Sequence, residues 1–109
     1  RMTEADERST NLMFRTLHNT ARVFKNSISD QVVEIESTGT ATFEDVKDLV
    51  AGQRGRVVFE KGDMEHGIWS AGISVARVKD IPTCKEMVSR LVSDAEGIID
   101  GRLQQVKAS

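Results

Sequence analysis

The chain has one cysteine, one proline and one tryptophan among its 109 residues. Its two histidines, His18 and His66, lie far apart. Cys84 has no partner for an internal disulfide and no second thiol at ligand spacing, so a reducing, cytoplasmic setting is the expectation. No apolar run exceeds a few residues, which excludes a membrane-spanning helix. No secretory signal pattern is visible. Fifteen cations and seventeen anions give a net charge of −2 with both signs interspersed. A nucleic-acid partner would require a clustered basic face, and none is present. Asp63, Glu65 and His66 are close together, but no His pair stands at i, i+4, so no metal site is expected. These three residues read as the solvated start of a helix.

Hydrophobic residues make up 39% and charged residues 29%, a composition that suits one water-soluble domain with a modest core. The chain opens Arg1-Met2 and enters the charged stretch Glu4–Arg8, as a segment cut from a longer protein would.

Residues 1–9 show no strong period. Between Thr10 and Phe24, Leu12, Phe14 and Thr16 alternate with Met13, Arg15 and Leu17, and His18-Asn19 offers a turn. This pattern supports a short strand or hairpin, with a helix as its competitor. The remainder reads as helical. Ser29 is the expected cap of a helix that carries Val32, Val33 and Ile35 and stops at Gly39. Thr42 and Asp45 resemble a capping box for a helix burying Phe43, Val46, Leu49 and Val50 and ending at Gly52. A further helix is expected from about Arg54 to Lys61. Asp63 would cap a segment with Ile68, Trp69, Ile73 and Val75 on one face. Pro82 removes Ile81 from the helical region and marks a boundary. Thr83 and Glu86 then form a capping box for a long amphipathic helix through Met87, Leu91, Ala95 and Ile98, widened by Val88, Val92 and Ile99. Its end, residues 101–109, is expected to fray.

The stretch Gly62–Gly72, GDMEHGIWSAG, concentrates the candidate chemistry. Trp69 is a core or interface anchor, or the wall of a flat-ligand pocket. Gly67 and Gly72 permit close approach, either of a ligand or of a packed element. Ser70 is not on a nucleophile elbow, because Ile68 stands where Gly-x-Ser-x-Gly requires glycine, so a hydrolase is rejected. Its hydroxyl can still donate to a polar ligand oxygen. Gln53-Arg54-Gly55-Arg56 reads as a solvated basic face, with anion binding as the rarer alternative and no Gly-Lys-Ser/Thr to make a phosphate loop. Arg22 and Lys25 read as surface charges.

Several segments, in order, resemble the C-terminal part of one flavoenzyme family: Asp6–Thr10, Arg15–Val23, Gly52–Arg56, Gly67–Gly72 and Asp80-Ile81-Pro82. This is the nitronate monooxygenase (2-nitropropane dioxygenase) family, with the FMN-dependent NADH:quinone reductases as the most similar branch and the FMN-type enoyl-acyl-carrier-protein reductases as more distant relatives. The resemblance implies a mainly α segment that belongs to an FMN-binding (β/α)8 TIM-type barrel enzyme, with the barrel outside this chain. Residues 1–82 would be the lid over flavin and substrate, and residues 83–109 the terminal helix that packs on the barrel. The family's catalytic His and its flavin phosphate site would precede Arg1, leaving no catalytic, cofactor-binding or metal residue here, and the isolated segment inactive. By the same likeness Ser70 would hydrogen-bond the substrate, Trp69 would shape the pocket, and Gly67 and Gly72 would allow the approach. The implied partners are the parent's own FMN barrel and a small molecule, a quinone or an alkyl nitronate, with NADH as electron donor; a homo-oligomer stays open. Arg77 departs from the family's apolar pattern. The alternative function is a free-standing helical module for protein interaction or self-association, without catalysis.

Overall fold

The computed structural model describes residues 1–108. Two compact units emerge, one up to Lys79 and one from Asp80 onward.

The first unit is organised on a hairpin. β1 (Thr10–Met13) and β2 (Ala21–Phe24) pair antiparallel, with Thr10 opposite Phe24 and Met13 opposite Ala21. The strand reading of this region therefore holds over the helical one. The connecting loop places two non-glycine residues at positive φ, Phe14 (60°) and His18 (54°). Glu36 steadies it: its buried carboxylate accepts the Phe14 amide at 2.8 Å and the Thr16 hydroxyl at 3.0 Å.

Successive strand residues face opposite sides, and the hairpin uses both. On one side Met13 and Val23 pack with Val32 of α1 (Ser27–Glu36) and Val46 of α2 (Phe43–Val46). On the other, Phe24 packs with Ala5, Trp69, Val75 and Val58 of α3 (Gly52–Lys61). Two small cores thus share one two-stranded sheet.

Helix ends follow side-chain chemistry, with corrections to the sequence expectation. Asn26, not Ser29, caps α1. Asn26 Oδ1 accepts the Ser29 amide at 2.9 Å, and the Ser29 hydroxyl accepts the Asn26 amide at 2.9 Å. Asn26 has the extended backbone a cap requires, whereas Ser29 lies in the first turn. Gly39, at φ 78°, follows the helix end as expected. Thr42 and Asp45 do close a turn, the Asp45 carboxylate accepting the Thr42 amide and hydroxyl at 2.7 and 2.9 Å. However, α2 ends at Val46, Phe43 is 55% exposed, and Gly52 opens α3 instead of ending α2. α3 stops at Gly62, whose left-handed φ of 68° suits glycine.

Residues 63–72 are not helical, contrary to expectation, and the 3-10 turn Ile73–Arg77 follows. Of its expected apolar face, Trp69 and Val75 are buried, Ile68 is half-buried and Ile73 is exposed.

In the second unit, α4 (Cys84–Gly97) begins with the expected capping box. Glu86 accepts the Thr83 amide and hydroxyl at 2.9 and 2.8 Å. Arg90 and Asp80 pair at 2.9 Å, tying the Pro82 turn to the helix. Helical structure does not fray at Gly101. It continues as a π-helical stretch, Ile98–Leu103, and as α5 (Gln104–Ala108); Ser109 lies outside the described residues. Met87, Val88, Leu91, Val92, Ile98, Ile99, Leu103 and Val106 are all exposed, Leu91 at 63%. Among the described residues no helix is long and apolar enough to cross a membrane.

Candidate functional site

The Gly62–Gly72 segment leaves α3, wraps the start of α1 and lies along the free edge of β2. Each step has an identifiable cause. A strand edge presents unpaired N–H and C=O groups, and this segment satisfies them. The Phe24 amide donates to the Trp69 carbonyl at 3.0 Å, the Ala71 amide to the Arg22 carbonyl at 3.4 Å, and Val23 and Ser70 form an antiparallel bridge. The sequence period suggested a helix here, but the open edge of β2 supplies stronger partners.

Asn26 anchors the same segment from below. Its Nδ2 donates to the Met64 and Gly67 carbonyls at 2.9 and 2.8 Å while its Oδ1 caps α1. Ser27 Oγ adds a bond to the Glu65 carbonyl at 2.7 Å. Asn26 was missed by sequence reasoning. Its signal was an Asn three residues before Ser29, a capping pair overlooked in favour of Ser29 itself. Glu36 was missed too, and no local signal marks a buried carboxylate that serves loop residues 20 and 22 positions earlier in the chain.

Asp63 shapes the turn after α3. It accepts the Glu65 amide at 3.0 Å and the His66 amide at 3.2 Å, and His66 Nδ1 lies 3.0 Å from its other oxygen. These bonds, the Glu65 amide first, hold its carboxyl below the ordinary Asp value. Both side chains are therefore engaged in a local turn rather than capping a helix. No group of three or more His, Cys, Asp or Glu that could hold a metal occurs among the described residues.

The four sequence-assigned residues fall into distinct environments. Trp69 is 9% exposed, its indole stacked on Phe24 and its Nε1 donating to the Met64 carbonyl at 3.3 Å. It sits in the core. Gly67 is buried against α3: a Cβ there would come within 2.6 Å of the Arg54 carbonyl oxygen and 2.6 Å of Val58 Cγ2. Its lack of side chain serves the packing of two elements. Gly72 carries no such demand, since a Cβ would meet only Ser74 Oγ at 3.5 Å, and nothing in the structure explains it. Ser70 is exposed, and its hydroxyl has no hydrogen bond to another described residue. Of the four, only Ser70 combines exposure with a polar side chain, and its backbone is fixed by the bridge to Val23.

Among the described residues no His or carboxylate is bonded to Ser70 as an activating base would be. As a fixed donor it can orient a substrate oxygen. Both large rings of this region, Phe24 and Trp69, are buried against each other. In the basic stretch Arg54 Nε donates to the Asp48 carbonyl at 2.9 Å and Arg56 Nε to Glu60 at 2.6 Å, each contact using one of five N–H donors. Arg77 is exposed at the end of its 3-10 turn, while Val75 takes the buried position, so its charge remains in water.

No family model matches the chain. Among solved structures the chain is similar to FabK from Thermotoga maritima, at a TM-score of 0.80 and 19% identity. The match covers 96% of this chain and 32% of FabK, so the chain spans about a third of that protein's length and has the fold of that part of it.

Proposed function

We propose that this chain is the substrate-covering lid, with the terminal helix, of an FMN-dependent oxidoreductase of the nitronate monooxygenase and NADH:quinone reductase type. The observation that carries the reading is one of proportion: nearly all of this fold recurs as about a third of FabK. FabK is an FMN-dependent enoyl-acyl-carrier-protein reductase built on a TIM barrel, one of the relatives to which the Gly67–Gly72 and Asp80–Pro82 motifs already point. The exposed apolar stripe from Met87 to Val106 also fits a helix that completes its burial against a scaffold supplied elsewhere in the parent.

In this reading the FMN bound by the barrel supplies the redox chemistry. This chain contributes position and exclusion of water. Ser70 donates a hydrogen bond to an oxygen of a quinone or alkyl nitronate. The Phe24–Trp69 pair, stacked and joined through the backbone, holds the strand edge on which Ser70 sits. Gly67 lets that edge settle on α3.

The same apolar stripe equally serves the second reading, a helical module that self-associates without catalysis. One experiment on the full-length parent separates them: anaerobic titration of the purified protein with NADH, followed by flavin absorbance. Bleaching of bound FMN, and its recovery on adding a quinone or nitronate, supports the lid. A parent that contains no barrel in the same reading frame, or purifies without flavin and does not regain it from added FMN, overturns it. Sedimentation of the 109-residue chain then shows whether it forms a defined oligomer.

A further inference from the structure

A cavity of about 340 Å³ lies at the hairpin loop, lined by Phe14, Leu17, Asn19 and Phe43, with Ser70 not among its lining residues. Three of these are apolar, two of them aromatic; the fourth is an uncharged amide. No ionic side chain lines it. We infer that this cavity binds a small, flat, uncharged ring compound bearing a carbonyl or similar acceptor, with the ring between Phe14 and Phe43 and the acceptor on the Asn19 amide.

Three features point there. Phe14 and Leu17 pack against the Met13–Val32 core, but Phe43 does not belong to either core and is 55% exposed. The Phe43 ring stands at the first turn of α2 and bounds the cavity, where a flat ligand would cover it. The loop is also held in a sparsely populated shape. Phe14 and His18 both have positive φ, a conformation that non-glycine residues keep only when surrounding structure enforces it. Two bonds enforce it: buried Glu36 accepts the Phe14 amide, and the Asn19 backbone amide donates to the Phe14 carbonyl at 3.2 Å. Finally, the volume suits one or two fused rings, at the small end of ordinary ligand sites. The neutral lining offers no counter-charge to an anion or cation, which favours an uncharged ligand.

The test uses the full chain and prodan, an uncharged naphthyl ketone whose emission shifts to the blue in apolar surroundings. Prodan is expected to bind saturably, and a naphthalene sulfonate of similar size about ten-fold more weakly or not at all. Phe43→Ala removes the exposed ring and Asn19→Ala removes the amide without touching the backbone bond to Phe14. Each is expected to weaken prodan about ten-fold while the far-ultraviolet circular dichroism is unchanged. Leu91→Ser, on α4, tests for adsorption to the exposed helical stripe and should leave the affinity as it was. Amide shifts in a nitrogen-15 NMR titration should be confined to residues 14–20 and 42–46. Equal affinity in the Phe43 and Asn19 variants, loss of binding in Leu91→Ser, or amide shifts centred on α4 would each overturn the assignment.

Discussion

The indole of Trp69 stacks on the ring of Phe24, centroids 4.3 Å apart and planes 13° from parallel, where the Gly62–Gly72 segment joins the hairpin. The backbone repeats the contact, with the Phe24 amide bonded to the Trp69 carbonyl. Removing the indole therefore empties the centre of one of the two cores and loosens a strand edge together. Trp69→Ala should destabilise by about 3–5 kcal/mol, a large share of a small domain's total stability. Trp69→Phe keeps a ring but loses the bond from Nε1 to Met64, and about 1 kcal/mol is expected for that bond alone. Urea unfolding followed by far-ultraviolet circular dichroism gives both values.

Gly67 is set too close to α3 for any side chain. The Cβ of alanine would lie 2.6 Å from a backbone oxygen of Arg54, which cannot rotate away. Gly67→Ala should cost about 1–3 kcal/mol by overpacking. Gly72→Ala, where the nearest contact is an ordinary 3.5 Å, should lie within about 0.5 kcal/mol of the parent sequence. Comparing the two by thermal melting checks the assignment of one glycine to packing, and an equal loss in both would contradict it.

Asn26 joins the start of α1 to the Gly62–Gly72 segment through one side chain. Asn26→Ala removes a helix cap, at about 0.5–2 kcal/mol, and strands the Met64 and Gly67 carbonyls, at about 1–3 kcal/mol for a buried group left unmade. Asn26→Asp retains the cap acceptor but cannot donate to the carbonyls. It should recover only the cap portion, and hydrogen exchange should report α1 protected while residues 63–68 open.

What sequence reading captured here is local chemistry, and what it missed is partnership. Thr83–Glu86, Thr42–Asp45 and the positive-φ Gly39 are short-range signals, and each appears in the structure. The alternation around Leu12 and Met13 also led to the hairpin. Residues 63–72 misled because spacing cannot show that β2 has an open edge waiting for them. Ser29 was preferred to Asn26 because the two are equally good caps in isolation, and only the Met64 and Gly67 carbonyls decide between them. Phe43 carries an apolar label but not an apolar position. At the candidate site, the close approach at Gly67 was foreseen, yet its partner, α3, required the fold.

Ser70 is exposed and bonded only through its backbone, so its side chain should matter little for folding. Ser70→Ala should change stability by less than about 0.5 kcal/mol. In the full-length parent the same substitution should lower kcat/KM by about two- to twelve-fold, the equivalent of one hydrogen bond to substrate. Steady-state kinetics with each acceptor tests this. Rates equal to wild type for quinone, nitronate and enoyl thioester alike would remove Ser70 from the substrate site.

Glu86 offers a residue-specific reading of pH. The Thr83 amide, then the Thr83 hydroxyl, donate to its carboxylate and hold its carboxyl below the ordinary value of 4.5. A carboxyl whose folded value is depressed contributes stability that is complete above its unfolded value and is lost as pH falls through the folded one. The start of α4 should therefore weaken on acidification below 4.5, not on raising the pH. In an NMR titration the Thr83 amide proton, shifted downfield by its charged acceptor, should move upfield with a midpoint below 4.5. Glu86→Gln keeps an acceptor but no titrating charge, so this movement should vanish in that variant. A midpoint at or above 4.5 would mean that the capping box is not formed in solution.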